Sequence, residues 1–225
     1  PIFSVGVYNE TNTIEKHKAL GKSAFTYCSS LTSVTFGEGI KEIPNHFLQG
    51  CTLLKETTFP NSLIKLGEAA FADCPALETP VVLENPSFVA IGEDCFARCV
   101  SIPEIKILSS SLDLGSGAFL QCTGITKLTV AFPELTEAKA SNLGAPKYKN
   151  PWDLILMDSV VTVGNKAFKN NDKLKTVSFG KGVSMLDTNC FDDCDALETI
   201  TNNSTQNIVY GDYSFNSCGA LNTFN

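Results

Sequence analysis

The sequence predicts a solenoid: a right-handed β-α superhelix of about nine coils of ~23 residues. A parallel sheet is expected on its concave face and short helical or 3-10 turns on its convex face. Three observations predict it. One phrase recurs eight times at near-constant spacing. A second phrase with strand-like alternation follows each copy. Every cysteine of the chain falls at a fixed place in the first phrase.

The first phrase is an aliphatic residue, often Gly, two or three variable residues, a small residue, Phe, two more and Cys. It runs Leu20-Gly21-Lys22-Ser23-Ala24-Phe25-Thr26-Tyr27-Cys28 at first. It returns from Leu66 to Cys74, Ile91 to Cys99, Leu114 to Cys122, Val163 to Asn171, Leu186 to Cys194 and Tyr210 to Cys218. The stretch Ile43 to Cys51 fits with Phe47 and Leu48 in the small-Phe places.

The second phrase begins three residues after the Cys with Leu or Ile, followed by apolar residues at plus three and plus five. Leu31, Val34, Phe36 and Ile102, Ile105, Ile107 are examples. Alternation of the last pair with polar neighbours is the period of a short strand.

The copies start at 20, 43, 66, 91, 114, 163, 186 and 210. The gap from 114 to 163 spans two periods, and Leu154, Leu156 and Val160 fall at the strand offsets before Val163. A degenerate coil is therefore expected at about 135–162, its Phe-Cys half replaced by Glu137 to Pro151. A period of 20–29 residues with one L-x-x-V-x-F strand per unit is the leucine-rich-repeat pattern. Residues 20–225 thus form a leucine-rich-repeat solenoid. Residues 1–19 lack the clear phrase and are expected to be a cap or a worn first repeat. Phe224-Asn225 stops inside an expected strand, and Pro1 replaces an initiator Met, so a fragment, or a chain with its signal peptide removed, is expected.

A coil this short cannot close a core alone, so stacking must bury its ladders. Phe25, Phe71, Phe96, Phe119, Phe168, Phe191 and Phe215 should form one internal spine. Cys28, Cys51, Cys74, Cys99, Cys122, Cys194 and Cys218 hold the last place of the phrase, and Cys95 and Cys190 the small-residue place. Exchange with Ala marks them as small buried hydrophobes. Cys95/Cys99 and Cys190/Cys194 have the i, i+4 spacing of a zinc half-site, but only His17 and His46 exist and no second pair completes four ligands. Structural thiols, with no metal and no cofactor, are the reading. Neighbouring coils lie near disulfide range, while the odd number and parallel directions argue against pairing.

No nucleophile elbow, zinc-protease motif or phosphate loop occurs. Gly37-Glu38-Gly39 and Gly180-Lys181-Gly182 are matching turns. Asp192-Asp193 with Asp195 reads as a solvated convex loop, a calcium site being the sharper alternative. A net charge of −7 argues against a nucleic-acid partner. No run of 18 apolar residues appears, so no membrane insertion is expected. The chain reads as a non-enzyme.

Residues between the buried strand places should face out of the concave sheet. The row before the middle apolar residue reads Ser33, Glu56, Thr79, Glu104, Lys127, Asp153, Thr176, Thr199, Thr223. The row after it reads Thr35, Thr58, Val81, Lys106, Thr129, Ile155, Ser178, Thr201. The next runs Gly37, Pro60, Leu83, Leu108, Ala131, Met157, Gly180, Asn203. Threonine suits an exposed strand by itself. The middle coils differ: Val81, Leu83, Leu108, Ile155 and Met157 would make an apolar patch rimmed by Glu104, Lys106 and Lys127. The irregular segment Thr136–Trp152 adds Tyr148 and the only Trp, Trp152, and could join the patch or cover it. These ten residues are the expected partner-binding area.

The phrase I-G-x-x-A-F-x-x-C-x-x-L-x-x-V-x-(F/I)-P resembles the BspA-like leucine-rich-repeat family over about residues 20–225, with 135–153 departing from it. The resemblance implies a secreted or cell-surface protein of anaerobic bacteria or parasitic protists. It implies adhesion to a host matrix or surface protein or to another microbe, and it carries over no catalytic residue. A protein partner is the leading expectation, with a glycan bound by Tyr148 and Trp152 as a remote one. The alternative is a spacer holding another domain, with no ligand of its own.

Overall fold

The computed structural model describes residues 20–145 and 148–225 in full and the backbone of 2–5. The cap expected over 1–19 falls outside the described residues except for a strand at Ile2–Val5, and His17 lies outside them too.

Two parallel sheets run along the stack. The first face carries Ile2–Val5, Ser33–Phe36, Glu56–Thr58, Val81–Leu83, Glu104–Ile107, Lys127–Val130, Trp152–Leu156, Leu174–Phe179, Thr199–Asn202 and Thr223–Phe224. The second carries two-residue rungs at Glu42–Ile43, Lys65–Leu66, Ala90–Ile91, Asp113–Leu114, Glu134–Leu135, Thr162–Val163, Met185–Leu186 and Val209–Tyr210. Each coil therefore makes a strand, a corner, a rung and a turn, and eight coils are complete among the described residues. Pairing joins equivalent places one coil apart, such as Lys127 with Glu104 and Leu128 with Ile105.

The columns meet in one core. Val34, Val81, Ile105, Leu128, Leu154, Val177 and Ile200 are buried, as are Ile43, Leu66, Ile91, Leu135, Val163 and Leu186. The phenylalanine spine forms as two stacked runs rather than one continuous column, and Phe25 meets Phe47 at 5.1 Å instead of Phe71. Phe71 stacks on Phe96 at 5.1 Å and Phe96 on Phe119 at 5.0 Å. Phe168, Phe191 and Phe215 continue it at 5.5 and 5.4 Å.

The convex turns are short, and left-handed residues aim their backbone along the stack. Ser23 and Tyr27, Asp94 and Arg98, or Asn189 and Asp193 have positive φ in each copy. Between them the Phe N–H points at the next coil: Phe71 donates to the Cys95 carbonyl at 2.8 Å and Phe96 to the Ala118 carbonyl at 2.7 Å. The turn is thus a third ladder. The glycine that follows the aliphatic residue in most copies has a separate cause. A Cβ on Gly92 would lie 2.4 Å from the Glu68 nitrogen of the preceding coil.

Each sheet is interrupted once. The first face splits into three and seven strands between Glu56–Thr58 and Val81–Leu83. That coil has a longer step into its strand, at 78–80, and Pro80 has no N–H for a ladder. The Thr57 N–H turns instead to the Thr79 hydroxyl at 3.0 Å. The second face splits between Asp113–Leu114 and Glu134–Leu135. There Asn142 spans the seam: its Nδ2 donates to the Leu114 carbonyl at 3.2 Å and its Oδ1 accepts from the Gly117 N–H at 3.3 Å. Its own carbonyl accepts from Phe119 N–H at 2.9 Å.

The degenerate coil holds the one α-helix of the described residues, Glu137–Asn142, in the turn position. The Thr136 hydroxyl caps it by accepting from the Lys139 N–H. Ala140, Leu143 and Ala145 fill its inner side.

Candidate interaction face

The site must be built from the sheet rows, because the structure sets their register. Val81 pairs with Ile105, Val82 with Lys106 and Leu83 with Ile107. The 25-residue coil therefore places one of its extra residues before the strand. Val81 and Leu83, expected on the exposed patch, point into the core at 0% and 3% exposure. This corrects the expected rows: the outward places of that coil belong to Val82, which is half-buried, and Glu84, which is exposed. With two outcomes for the same Val-Val-Leu run, the deciding physical factor is Pro80, which cannot occupy a central ladder place.

The two aromatics of the irregular segment are also corrected. Trp152 is 1% exposed and Tyr148 is 5% exposed. Trp152 pairs with Leu174, so it takes the place of the consensus Leu that opens each second phrase. Its ring lies edge-on to Tyr148 at 5.0 Å and 6.0 Å from Phe168. Tyr148 donates its hydroxyl to the Leu143 carbonyl at 2.6 Å. Together they fill the volume left where this coil lacks the spine Phe, between Phe119 and Phe168. Interiors tolerate few voids, so a missing Phe must be replaced by other bulk. The break in the spine, visible in the phrase itself, was the signal for this. The helix that carries the segment packs beside the Phe119 turn, and among the described residues Met157 stays 36% exposed.

Six expected residues do share the first face: Glu104, Lys106, Leu108, Lys127, Ile155 and Met157. All are at least partly exposed. Lys106 and Ile155 flank Thr129 in one row; Glu104 and Lys127 are register partners in the row beside it. The charges are paired between coils. Lys106 Nζ meets Glu84 Oε1 at 2.5 Å, and Lys127 Nζ meets Glu104 Oε1 at 3.3 Å. Asp153 accepts the Thr176 hydroxyl at 2.7 Å. Such exposed pairs add little stability, about 0.2–1 kcal/mol each, but they fix where charge sits. Toward the C-terminus the outward places turn to Thr176, Ser178, Thr199 and Thr201.

Elsewhere, polar side chains are structural. Asp192, read as part of a solvated loop, is 5% exposed. It takes Lys169 at 2.6 Å and Asn216 at 2.9 Å, from the coils on either side. The Lys169 ammonium beside it holds its carboxyl below the usual range. The cysteines are free, and burial raises the thiol pKa of Cys51 and Cys122 to about 12. A column of hydroxyl and amide groups at the corner after the strand was not anticipated from the sequence. Ser62, Asn85, Ser109 and Ser204 donate to the carbonyls of Ile40, Leu63, Phe88 and Val183 in the preceding coil.

No curated protein matches the chain. It is similar to several solved bacterial structures. A leucine-rich-repeat protein of T. pallidum is 21% identical, with 99% of this chain and 72% of that one covered and a TM-score of 0.37. One from Bacteroides ovatus is 16% identical, with 97% and 73% covered and a TM-score of 0.43. A leucine-rich cell-surface protein of Faecalibacterium prausnitzii is 17% identical, with 86% and 78% covered and a TM-score of 0.31. The sequence itself matches the BspA type leucine rich repeat region, in six copies, over residues 18–141 and 147–225. With the phrase, the paired sheets and the thiol column all in place, the chain belongs to the BspA-type leucine-rich-repeat family.

Proposed function

We propose that this chain is a non-enzymatic interaction module of a secreted or cell-surface protein, binding a protein partner through the first sheet face. Family membership supports the surface setting, since BspA-type repeat proteins are typically surface-associated. One observation carries the choice of face: apolar Leu108, Ile155 and Met157 lie among two fixed cross-coil ion pairs, while the outward strand places of the later coils are small hydroxyl residues. An exposed apolar patch with a polar rim is the usual mark of a partner site. Val82 and Glu84 join this patch in place of the buried Val81 and Leu83. A protein is favoured over a glycan because Tyr148 and Trp152, the aromatics once available for stacking on a sugar, are in the core.

The test is direct binding of the purified chain to matrix proteins, mucins and glycans, with Ile155→Arg and Thr201→Arg run in parallel. A protein partner lost with Ile155→Arg and kept with Thr201→Arg supports the reading. Equal loss in both moves the contact along the face. Silence across the panel favours the second reading, a spacer that presents another domain, for which the bland threonine coils speak.

A further inference from the structure

We propose that Trp152 and Asn171 form one polar site inside the core, closed by a single bound water molecule. Three buried side-chain polar atoms have no hydrogen-bond partner among the described residues: Thr57 Oγ1, Trp152 Nε1 and Asn171 Oδ1. The last two are a donor and an acceptor in adjacent coils. The Trp152 backbone N–H donates to the Lys173 carbonyl, two residues beyond Asn171. Both residues adjoin Phe168. The Trp152 ring lies 6.0 Å from the Phe168 ring, and Asn171 Nδ2 donates to the Phe168 carbonyl at 2.9 Å.

The sequence shows the same coupling. Trp152 is the only tryptophan, and Asn171 is the only copy of its place that is not Cys. The exception in one coil sits beside the exception in the next. A thiol at 171 would be a weak acceptor for an indole N–H. An amide oxygen is a strong one, and its Nδ2 bonds the Phe168 carbonyl of its own turn. That carbonyl also receives the Cys194 thiol of the next coil at 3.2 Å. A buried donor and a buried acceptor on neighbouring groups, each without a protein partner, can share one internal water, which supplies the bond each would otherwise lose. The Trp152 N–H donates to the water, and the water donates to Asn171 Oδ1.

The single indole N–H makes the site readable. In 15N-labelled protein its resonance should show a cross-peak to a long-lived water, and Asn171→Cys should abolish it. Absence of the cross-peak in the native chain, or its persistence in Asn171→Cys, overturns the proposal. A double-mutant cycle gives a second readout. Asn171→Cys should lower the thermal midpoint by about 2–4 °C in the native background and leave it unchanged or raised beside Trp152→Phe. Additive shifts would show that the two residues are independent and would overturn the site.

Discussion

The Cys122 thiol donates to the carbonyl of Phe96, one coil earlier, at 3.0 Å. Cys51, Cys99, Cys194 and Cys218 repeat the contact with Phe25, Phe71, Phe168 and Phe191. Cysteine therefore serves the coil as more than a small apolar group, because its thiol adds a second donor, from the next coil, to a carbonyl that, at Phe96, also accepts the Cys99 N–H at 3.1 Å. Only Cys28 and Cys218, at the two ends, are partly exposed. An aromatic disulfide reagent should titrate these two in the native protein and all nine cysteines of the sequence after unfolding. Fast native reaction of Cys99 or Cys122 would contradict the burial of the column.

Stability should fall in alkali through the same thiols. Burial pushes Cys51, Cys122 and Cys190 from 9.0 up to about 12. Above pH 9 the unfolded chain gives up these protons while the folded chain keeps them, so the unfolded state binds fewer and gains. The contribution is complete below pH 9 and is lost as pH rises toward 12. Urea midpoints measured from pH 8 to 11 should decline, and Cys122→Ala should flatten the decline.

Phe119 ends the first run of stacked rings and is fully buried. Phe119→Ala removes the ring and leaves a cavity beside the Tyr148–Trp152 pair. A cost of about 3–5 kcal/mol is expected. Calorimetry showing an unchanged midpoint would mean that the neighbouring aromatics collapse into the space.

Thr57 is buried in the inward column beside Val34, and its hydroxyl has no hydrogen-bond partner among the described residues. Thr57→Val keeps the shape and removes a stranded polar atom. It should stabilise the chain by about 1 kcal/mol, seen as a raised denaturant midpoint with the slope unchanged.

Asn142 substitutes for a missing ladder step on the second face. Asn142→Leu leaves the Leu114 carbonyl and the Gly117 N–H without their partner, at a cost of about 1–3 kcal/mol. Amide exchange at Gly117 should quicken in the variant. Exchange as slow as in the native chain would show that other groups take over the seam.

The repeat was readable because it is redundant: eight copies vote on which places are inward, and the columns of Phe, Cys and Leu follow. Where the copies disagree, the sequence offered two outcomes and physics outside the phrase chose. Val81-Val82-Leu83 fits a strand in either register, and the decision rests on Pro80. Trp152 and Tyr148 stood out as additions to the pattern and so suggested function. In the folded chain they are replacements, filling the space of an absent Phe. Glu104, Lys106, Leu108, Lys127, Ile155 and Met157 lie on the face because their coils keep the common offset. The corner column of Ser62, Asn85 and Ser109 escaped notice because loops vary in length there, and no fixed offset marks it.

The two seams lie on different faces and two coils apart. At each one the opposite sheet runs through unbroken, in the manner of offset joints in a brick wall. A load that would open the stack at Thr58–Val81 must also stretch the continuous rungs Lys65–Leu66 and Ala90–Ile91. Pulling apart at Leu114–Glu134 meets the intact strands Glu104–Ile107 and Lys127–Val130. Neither seam can act as a hinge by itself. The stack can yield slightly in two directions at two levels, while the sheet opposite each seam stays continuous.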